Sequence, residues 1–329
     1  MADKMPGLLP LWLRFLKCAR DNVLPALSII RFLLVIMLPV SFAVMVLEHA
    51  GILYYVAKYM NPAMQFVGLP GEAALACLSA IFMNIYSAIA VIKTLSLSGK
   101  QMIILASMCL IAHSFFVECL VMKKTGSSLR KIVLIRLFNS FLAGWILHFI
   151  VPAGAASPAA GIAPGIPPVL GIKADLLLAG LGSWFGRSIF LVLHIFFIVF
   201  GVMYLQRLLE EFGLMKKLGR TAAPLIRVFG LPANTAYVWI IANTVGLSYG
   251  AGILMGEIKD GALSRTEADL FNHHAAISHS QIEDTLLFVS LGVPWFWAAL
   301  PRIILAIASV WVERARRALF RSSFRVKVV

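Results

Sequence analysis

The stretch Phe271–Thr285, "FNHHAAISHSQIEDT", concentrates polar side chains in a chain that is otherwise strongly apolar. The chain has 329 residues, of which 60% are hydrophobic and 13% are charged, and its mean hydropathy is +0.90. These values lie far outside the range of soluble globular domains. They predict an integral membrane protein, in which each ionisable residue of a span should face a cavity or a partner.

Part of this stretch recurs earlier in the chain. The dipeptide His-Ser at 279–280 corresponds to the one at 113–114, and the same offset relates Arg302 to Arg136. Nearer the start of each half the offset is slightly shorter, as between the "GLP" triplets at 68–70 and 230–232. An offset sustained over several motifs predicts two copies of one unit.

Eight apolar segments are each long enough to cross a bilayer as a helix. They lie at about 27–48, 72–97, 102–122, 131–151, 187–208, 234–256, 271–291 and 294–312. If all eight crossed, basic loops such as 123–131 would lie outside, against the preference of Lys and Arg for the cytoplasmic side. Small and polar residues interrupt 72–97 at 83–88 and 234–258 at 243–252. These two segments are therefore predicted to turn back inside the membrane as re-entrant hairpins.

The predicted fold is an all-α integral membrane protein with two inverted-topology repeats, each of three transmembrane helices and one re-entrant helical hairpin. Its predicted parts are an amphipathic cytoplasmic or interfacial N-terminus at 1–26, a first repeat at 27–151, a Pro/Gly/Ala-rich external linker at 152–178, a second repeat at 179–313 and a basic cytoplasmic tail at 314–329. With this topology every strongly basic loop lies inside. We therefore expect a bacterial-type cytoplasmic (inner) membrane protein with both termini in the cytoplasm.

The formal net charge of +14 comes from short basic segments that flank the apolar spans. Such flanks bind anionic lipid, so membrane lipids are expected partners and nucleic acid is not. The four cysteines lack C-x-x-C spacing, and they indicate neither disulfides nor a zinc site. A homodimer, formed through the interfacial segments 49–70 and 211–233, is a candidate assembly.

Three stretches resemble one known family. They are "GLSYGAGILMGEIKDGALSRTEADLFNHHAAISHSQIEDTLLFVSLG" at 246–292 and, more weakly, "AIFMNIYSAIAVIKTLSLSGKQ" at 80–101 and "IAHSFFVE" at 111–118. They resemble the Gate, or nucleoside recognition, family, which includes parts of concentrative nucleoside transporters, ferrous-iron transporters and spore-maturation membrane proteins. The resemblance implies two Gate-type units, at about 50–150 and 212–312, each with a re-entrant hairpin and a partly unwound helix beside the substrate.

The candidate substrate-binding residues are the polar residues that the two repeats would bring to the hairpin tips and to the membrane centre. They are His113, His279, Ser114, Ser280, Asn84, Asn243, Ser248, Tyr249, Arg136 and Arg302. Histidine changes charge near neutral pH, and arginine suits a phosphate or carboxylate. The alternative is structural, because a tight turn needs small and polar residues and paired histidines also hold helices together.

Three carboxylates are candidates for a coupling proton or a cation. They are Glu118, Glu283 and Asp284. The alternative is that they neutralise the two arginines, with Arg136 paired to Glu118 and Arg302 paired to Glu283 or Asp284. No other cofactor is expected beyond such a proton or cation.

A divalent metal site is a weaker expectation, built from His273, His279 and Glu283. Imidazole and carboxylate groups are legitimate ligands for transition metals, although no H-E-x-x-H spacing is present. The sequence shows no P-loop, and an enzyme is not expected.

These observations predict a secondary-type membrane transporter or flippase-like protein. Its substrate would be a small polar solute, anionic or nucleoside-like, bound at a central site between the repeats. Two alternatives stay open, a divalent metal ion transporter and a non-transporting membrane scaffold or assembly protein.

Overall fold

The computed structural model describes residues 10–50, 52–155, 174–244 and 246–325. All regular elements in this part of the chain are helices. In the first half they are α1 (Leu11–His49), α2 (Ile52–Phe66), α3 (Ala73–Phe82), α4 (Ile85–Ile92), α5 (Gly99–Ile111), α6 (Phe115–Lys124) and α7 (Leu129–Ile150). In the second half they are α8 (Ala174–Glu211), α9 (Leu214–Val228), a 3₁₀ turn (Ala233–Thr235), α10 (Ala236–Thr244), α11 (Leu247–Lys259), α12 (Arg265–Ala275), α13 (Gln281–Val289) and α14 (Trp295–Arg325).

The two halves have the same order of elements. A long helix is followed by a 15-residue helix, two pairs of short helices and a second long helix. The connections recur in detail, since Gly68 and Gly230 of the "GLP" triplets both adopt positive φ, at 75° and 77°. Their shared conformation ends α2 and α9 in the same way, because glycine adopts this region at little cost.

Matching caps start the second pair of short helices in each half. Ser98 and Gln101 form a capping box at the start of α5, and Ser264 and Glu267 form one at the start of α12. Each box satisfies two backbone donors that a helix start would otherwise leave unpaired. Hydrogen bonds from the Ser264 backbone N–H and hydroxyl lower the pKa of Glu267.

Helix pairs α3–α4 and α10–α11 each pack against one another around a short break. The first break lies at Met83–Asn84 and the second ends at Gly246, inside the interruptions predicted at 83–88 and 243–252. Gly250 permits the second packing, because a Cβ atom there would lie 3.1 Å from the Cα of Ala242.

Two helices in the described part of the chain are long and apolar enough to cross a membrane, Leu129–Ile150 and Trp295–Leu319. A third span results if α5 and α6, which meet at an angle of 40°, count as one broken helix. The six predicted crossings are therefore supported at two or three positions, and the prediction of an all-helical fold is confirmed for the described residues.

Helix α7 buries polar side chains and exposes apolar ones, which is the reverse of a helix in a soluble protein. Its buried face carries Arg136, Asn139 and Ser140, whereas Leu134 and Phe138 are exposed. Apolar side chains are stable on the outside only where lipid or another apolar surface covers them, and buried polar groups then meet inside the bundle. This reversal brings Arg136 to the centre.

Three predicted domain boundaries do not coincide with ends of helices. The boundary at 26 falls inside α1, the boundary at 178 falls inside α8, and α14 continues past 313. These boundaries were predicted where the charge or the proline content of the sequence changes. A long membrane helix can contain both kinds of change without ending. Most of the predicted linker, residues 156–173, lies outside the described residues.

Candidate functional site

The candidate site lies where two broken helices meet. His113 lies in the break between α5 and α6, and His279 lies in the break between α12 and α13; both are almost fully buried. The ring centroids are 5.1 Å apart and the two Nε2 atoms are 3.3 Å apart. Residues at matching positions of the two halves therefore face each other at the centre.

A left-handed serine follows each histidine and produces the break. Ser114 has φ 50° and Ser280 has φ 47°, and they are the non-glycine residues with positive φ in the described chain. Their backbone N–H groups donate to the carbonyl oxygens of Ala80 (2.8 Å) and Ala242 (2.9 Å), which belong to α3 and α10. Each break is thus fastened to the helix pair of its own half, and this contact holds a backbone conformation that is costly for serine.

Backbone contacts fix the proton position on both rings. His113 Nδ1 lies 3.2 Å from the carbonyl oxygen of Cys109, and His279 Nδ1 lies 2.6 Å from that of Ala275. A carbonyl oxygen only accepts, so Nδ1 carries the hydrogen on each ring. In the neutral rings both Nε2 atoms consequently present lone pairs toward each other.

Glu118 joins the histidine pair to a buried arginine. Its Oε1 atom lies 3.2 Å from the Nε2 atom of each histidine, and its Oε2 atom lies 2.6 Å from Arg136 Nη1. The Nε atom of Arg136 donates to the carbonyl oxygen of Ile111 at 3.0 Å. Arg136 therefore holds both the carboxylate and the end of α5.

The second half supplies the corresponding pair. Arg302 Nη2 lies 3.3 Å from Asp284 Oδ2 and also donates to the carbonyl oxygen of His279. Asp284 Oδ2 is 3.8 Å from His113 Nε2. The pairings of the structural alternative, Arg136 with Glu118 and Arg302 with Asp284, are thus present, and both pairs contact the central histidines.

Six residues form the central cluster: His113, His279, Glu118, Asp284, Arg136 and Arg302. Some N–H groups of its two arginines remain available as hydrogen-bond donors. Arg136 Nη2 and both Nε and Nη1 of Arg302 are buried without a hydrogen-bond partner among the described residues. Buried donors that lack a partner are costly. These guanidinium N–H groups remain available as donors to an acceptor atom of a solute or water.

Three other predicted residues have different surroundings. Asn84 caps α4, since its Oδ1 atom accepts hydrogen bonds from the backbone N–H (2.9 Å) and hydroxyl (3.1 Å) of Ser87. Glu283 accepts a hydrogen bond from the hydroxyl of Tyr86. The Nδ2 atom of Asn243 donates to the carbonyl oxygen of Trp239 at 2.9 Å, while its Oδ1 atom is buried without a partner among the described residues.

Two predicted residues at the second hairpin tip are described only by their backbone. Ser248 and Tyr249 lie in the first turn of α11. Their side chains lie outside the described part of the structure.

The predicted metal set does not form one group. His279 belongs to the central cluster, and Glu283 faces Tyr86. His273 instead lies 3.8 Å from one carboxylate oxygen each of Asp269 and Glu313. The prediction grouped these residues because they lie in one short segment of the sequence. In the structure the helix break after Ala275 separates their side chains.

Sequence reasoning missed this second charged cluster. Lys131 lies 2.9 Å from Glu313, and Arg317 pairs with both Asp269 and Glu313. An open cavity of about 470 Å³ adjoins the cluster. The four-residue spacing of Asp269 and His273 was an available signal, but Glu313 and Lys131 come from distant helices.

A comparison with protein families matches residues 30–129 to the family Gate, described as nucleoside recognition. The family resemblance seen in the sequence is confirmed, although the matched residues lie in the predicted first repeat, 27–151, and not at 246–292, where the resemblance was drawn most strongly. A relative of this chain is the uncharacterized membrane protein YvoD of Bacillus subtilis (strain 168), 29% identical over 287 residues, which cover 84% of this chain and 89% of the relative. No solved structure matches.

Proposed function

We propose that this Gate-domain membrane protein is a secondary transporter whose pathway passes through the central cluster. The observation that carries the proposal is the facing pair His113 and His279, contributed by matching helix breaks in the two halves. Discontinuous helices that meet near the bilayer midplane are how many secondary transporters build a substrate site.

The free-energy cost of burying the ionisable side chains of the central cluster supports a functional role. Two arginines, two carboxylates and two histidines are buried in a chain with few charges. Ionisable groups inside a membrane protein are expensive and are typical of substrate or ion pathways. A scaffold would satisfy its helix contacts with apolar packing and would not need unpartnered guanidinium donors at its centre.

The proposed topology is the inverted repeat with two re-entrant hairpins and cytoplasmic termini. Helix α9 carries four basic residues and its counterpart α2 carries one. The positive-inside rule then places α9 in the cytoplasm and α2 on the other side. In this arrangement the first hairpin enters from outside and the second from inside, so rocking of one unit against the other would open the site to each side in turn.

The substrate of the proposed transporter is a small polar solute or ion. The spare guanidinium donors suit anionic or nucleoside-like groups, and the lone pairs on the two Nε2 atoms suit a proton or cation. Movement is driven by a gradient or by a partner protein.

Cys119 provides a test that does not require the substrate. It is fully buried, with its Sγ atom 3.9 Å from Arg136 Nη1. In a variant with the other three cysteines replaced by alanine, a small membrane-impermeant thiol reagent is applied to vesicles of each orientation. Alternating access predicts slow modification of Cys119 from both sides.

Modification from neither side, with normal labelling after detergent denaturation, would contradict the proposal and favour the scaffold function. A cysteine-free variant measures background labelling. Modification from one side alone would indicate a site that opens to one compartment, which also opposes transport.

A further inference from the structure

We infer that His113, His279 and Glu118 bind one divalent first-row transition metal ion, with Asp284 close enough to act as a fourth ligand. The role of this ion as cargo or coupling ion rests on the proposed function, whereas its binding does not. Both histidines and both carboxylates belong to the central cluster.

The three ligand atoms already have the spacing of a tetrahedral metal site. The two Nε2 atoms are 3.3 Å apart, and Glu118 Oε1 lies 3.2 Å from each. Atoms bound to zinc at about 2.05 Å in a tetrahedron lie about 3.3 Å apart. One ion placed just off the plane of this triangle can reach all three atoms without a rearrangement of the backbone.

The hydrogen-bonding pattern calls for a cation at this position. Both Nδ1 hydrogens point to backbone carbonyl oxygens, of Cys109 and Ala275, so both Nε2 atoms offer lone pairs. Glu118 Oε1 offers another, so three acceptors converge. Metal-bound histidines typically donate their second ring N–H to a carbonyl oxygen in this way, which fixes the tautomer and the ring orientation.

The donor set selects the class of ion. Two imidazoles and one carboxylate oxygen suit zinc, iron, cobalt and similar ions, whereas calcium and magnesium favour sites made of oxygen alone. Asp284 Oδ2, at 3.8 Å from His113 Nε2, requires only a small side-chain shift to coordinate.

The two arginines weaken the binding of the metal ion and so make it reversible. Arg136 holds the other oxygen of Glu118, and Arg302 holds Asp284, so both negative charges are already partly neutralised. A bound divalent ion leaves the cluster with excess positive charge. This favours reversible binding, which suits an ion that is carried rather than retained.

The second charged cluster is a poorer metal site. Its two carboxylates are engaged by Lys131 and Arg317, and its histidine lies 3.8 Å from each of them. Substitution of His273 therefore distinguishes metal binding at the second charged cluster from metal binding at the central cluster.

The test is a titration of the purified full chain in detergent with Co²⁺, followed by its visible absorption bands and displaced with Zn²⁺. We expect one ion per chain, and a loss of affinity of about tenfold to a hundredfold or more in His113→Gln and His279→Gln. His148→Gln, in α7, is the matched control and should bind as the unchanged protein does. Binding that survives both central substitutions but is lost in His273→Gln would overturn the assignment.

X-ray absorption of the zinc-loaded unchanged protein avoids dependence on variants that fold poorly. We expect two imidazoles in the first shell at about 2.0–2.1 Å. A shell without imidazole, or no bound metal, would overturn the site and leave a proton as the occupant. Metal binding without metal uptake into proteoliposomes would contradict the role of the ion as cargo or coupling ion alone, and uptake of another solute without metal binding would contradict the metal site alone.

Discussion

Arg136 and Arg302 are fully buried, and each is paired with one carboxylate of its own half. A buried ion pair adds little net stability, but the loss of one partner leaves a buried charge without compensation. The two pairs thus make the central cluster sensitive to single substitutions and tolerant of matched double substitutions.

Arg302→Met should lower the free energy of unfolding by about 3–5 kcal/mol, because Asp284 is left charged and buried. Adding Asp284→Asn should recover part of this loss. Thermal unfolding in detergent measures both, with Arg220→Met on the exposed face of α9 as a control. An Arg302→Met variant that melts like the unchanged protein would show that Asp284 is not held as a charged partner.

Comparison with the first half identifies which carboxylate pairs with Arg302. The offset in sequence that relates the two arginines also relates Glu118 to Asp284. Applied strictly, this offset selects Asp284 over Glu283 as the partner of Arg302. The sequence thus contained the correct pairing, and the ambiguity arose because adjacent carboxylates look equivalent when only segments are compared.

At the scale of the elements, the two helix breaks depend on serine in a left-handed conformation. Replacing Ser280 with glycine removes the conformational penalty, whereas valine adds a branched Cβ to it. The neighbouring contact to Ala242 uses the backbone N–H and is available to both.

We expect Ser280→Gly to keep or slightly raise the melting temperature, and Ser280→Val to destabilise by about 1–3 kcal/mol. Ser114→Gly and Ser114→Val give the matched pair in the other half. Equal stability of the glycine and valine variants would mean that the left-handed conformation is not required.

The elements were predictable in type but less so at their ends. Apolar runs and polar interruptions located the breaks between α3 and α4 and between α10 and α11, because a break inside an apolar segment needs small or polar residues. The continuity of α1 was not predictable from them, since Pro25 and Pro39 lie inside it. The contact between His279 and Glu118, which belong to different halves of the chain, depends on how the halves pack, and no local pattern encodes it.

At the scale of the whole molecule, the proposed inverted repeat would place matching residues on opposite sides of the membrane. Lys58 in α2 and Arg220 in α9 occupy matching positions of the two halves, and both side chains are exposed. A parallel repeat would place them on the same side.

We expect Lys58→Cys and Arg220→Cys, each in the cysteine-free background, to react with an impermeant thiol reagent from opposite sides. Arg220→Cys should react only in inside-out vesicles, because basic α9 is placed in the cytoplasm. Gly154→Cys, where a new side chain meets open space, should react from the external side. Reaction of both test positions from the same side would exclude inversion.

The contribution of each half to the central cluster has a consequence for how the chain can be divided. Residues up to 155 include one histidine, one carboxylate and one arginine of the cluster, and residues from 174 onward include the other three. Neither fragment alone possesses the triangle of acceptor atoms, since His279 faces Glu118 across the junction. Two separately synthesised fragments would have to associate in the bilayer before the proposed metal site existed, so metal affinity in such a split protein would report directly on fragment assembly.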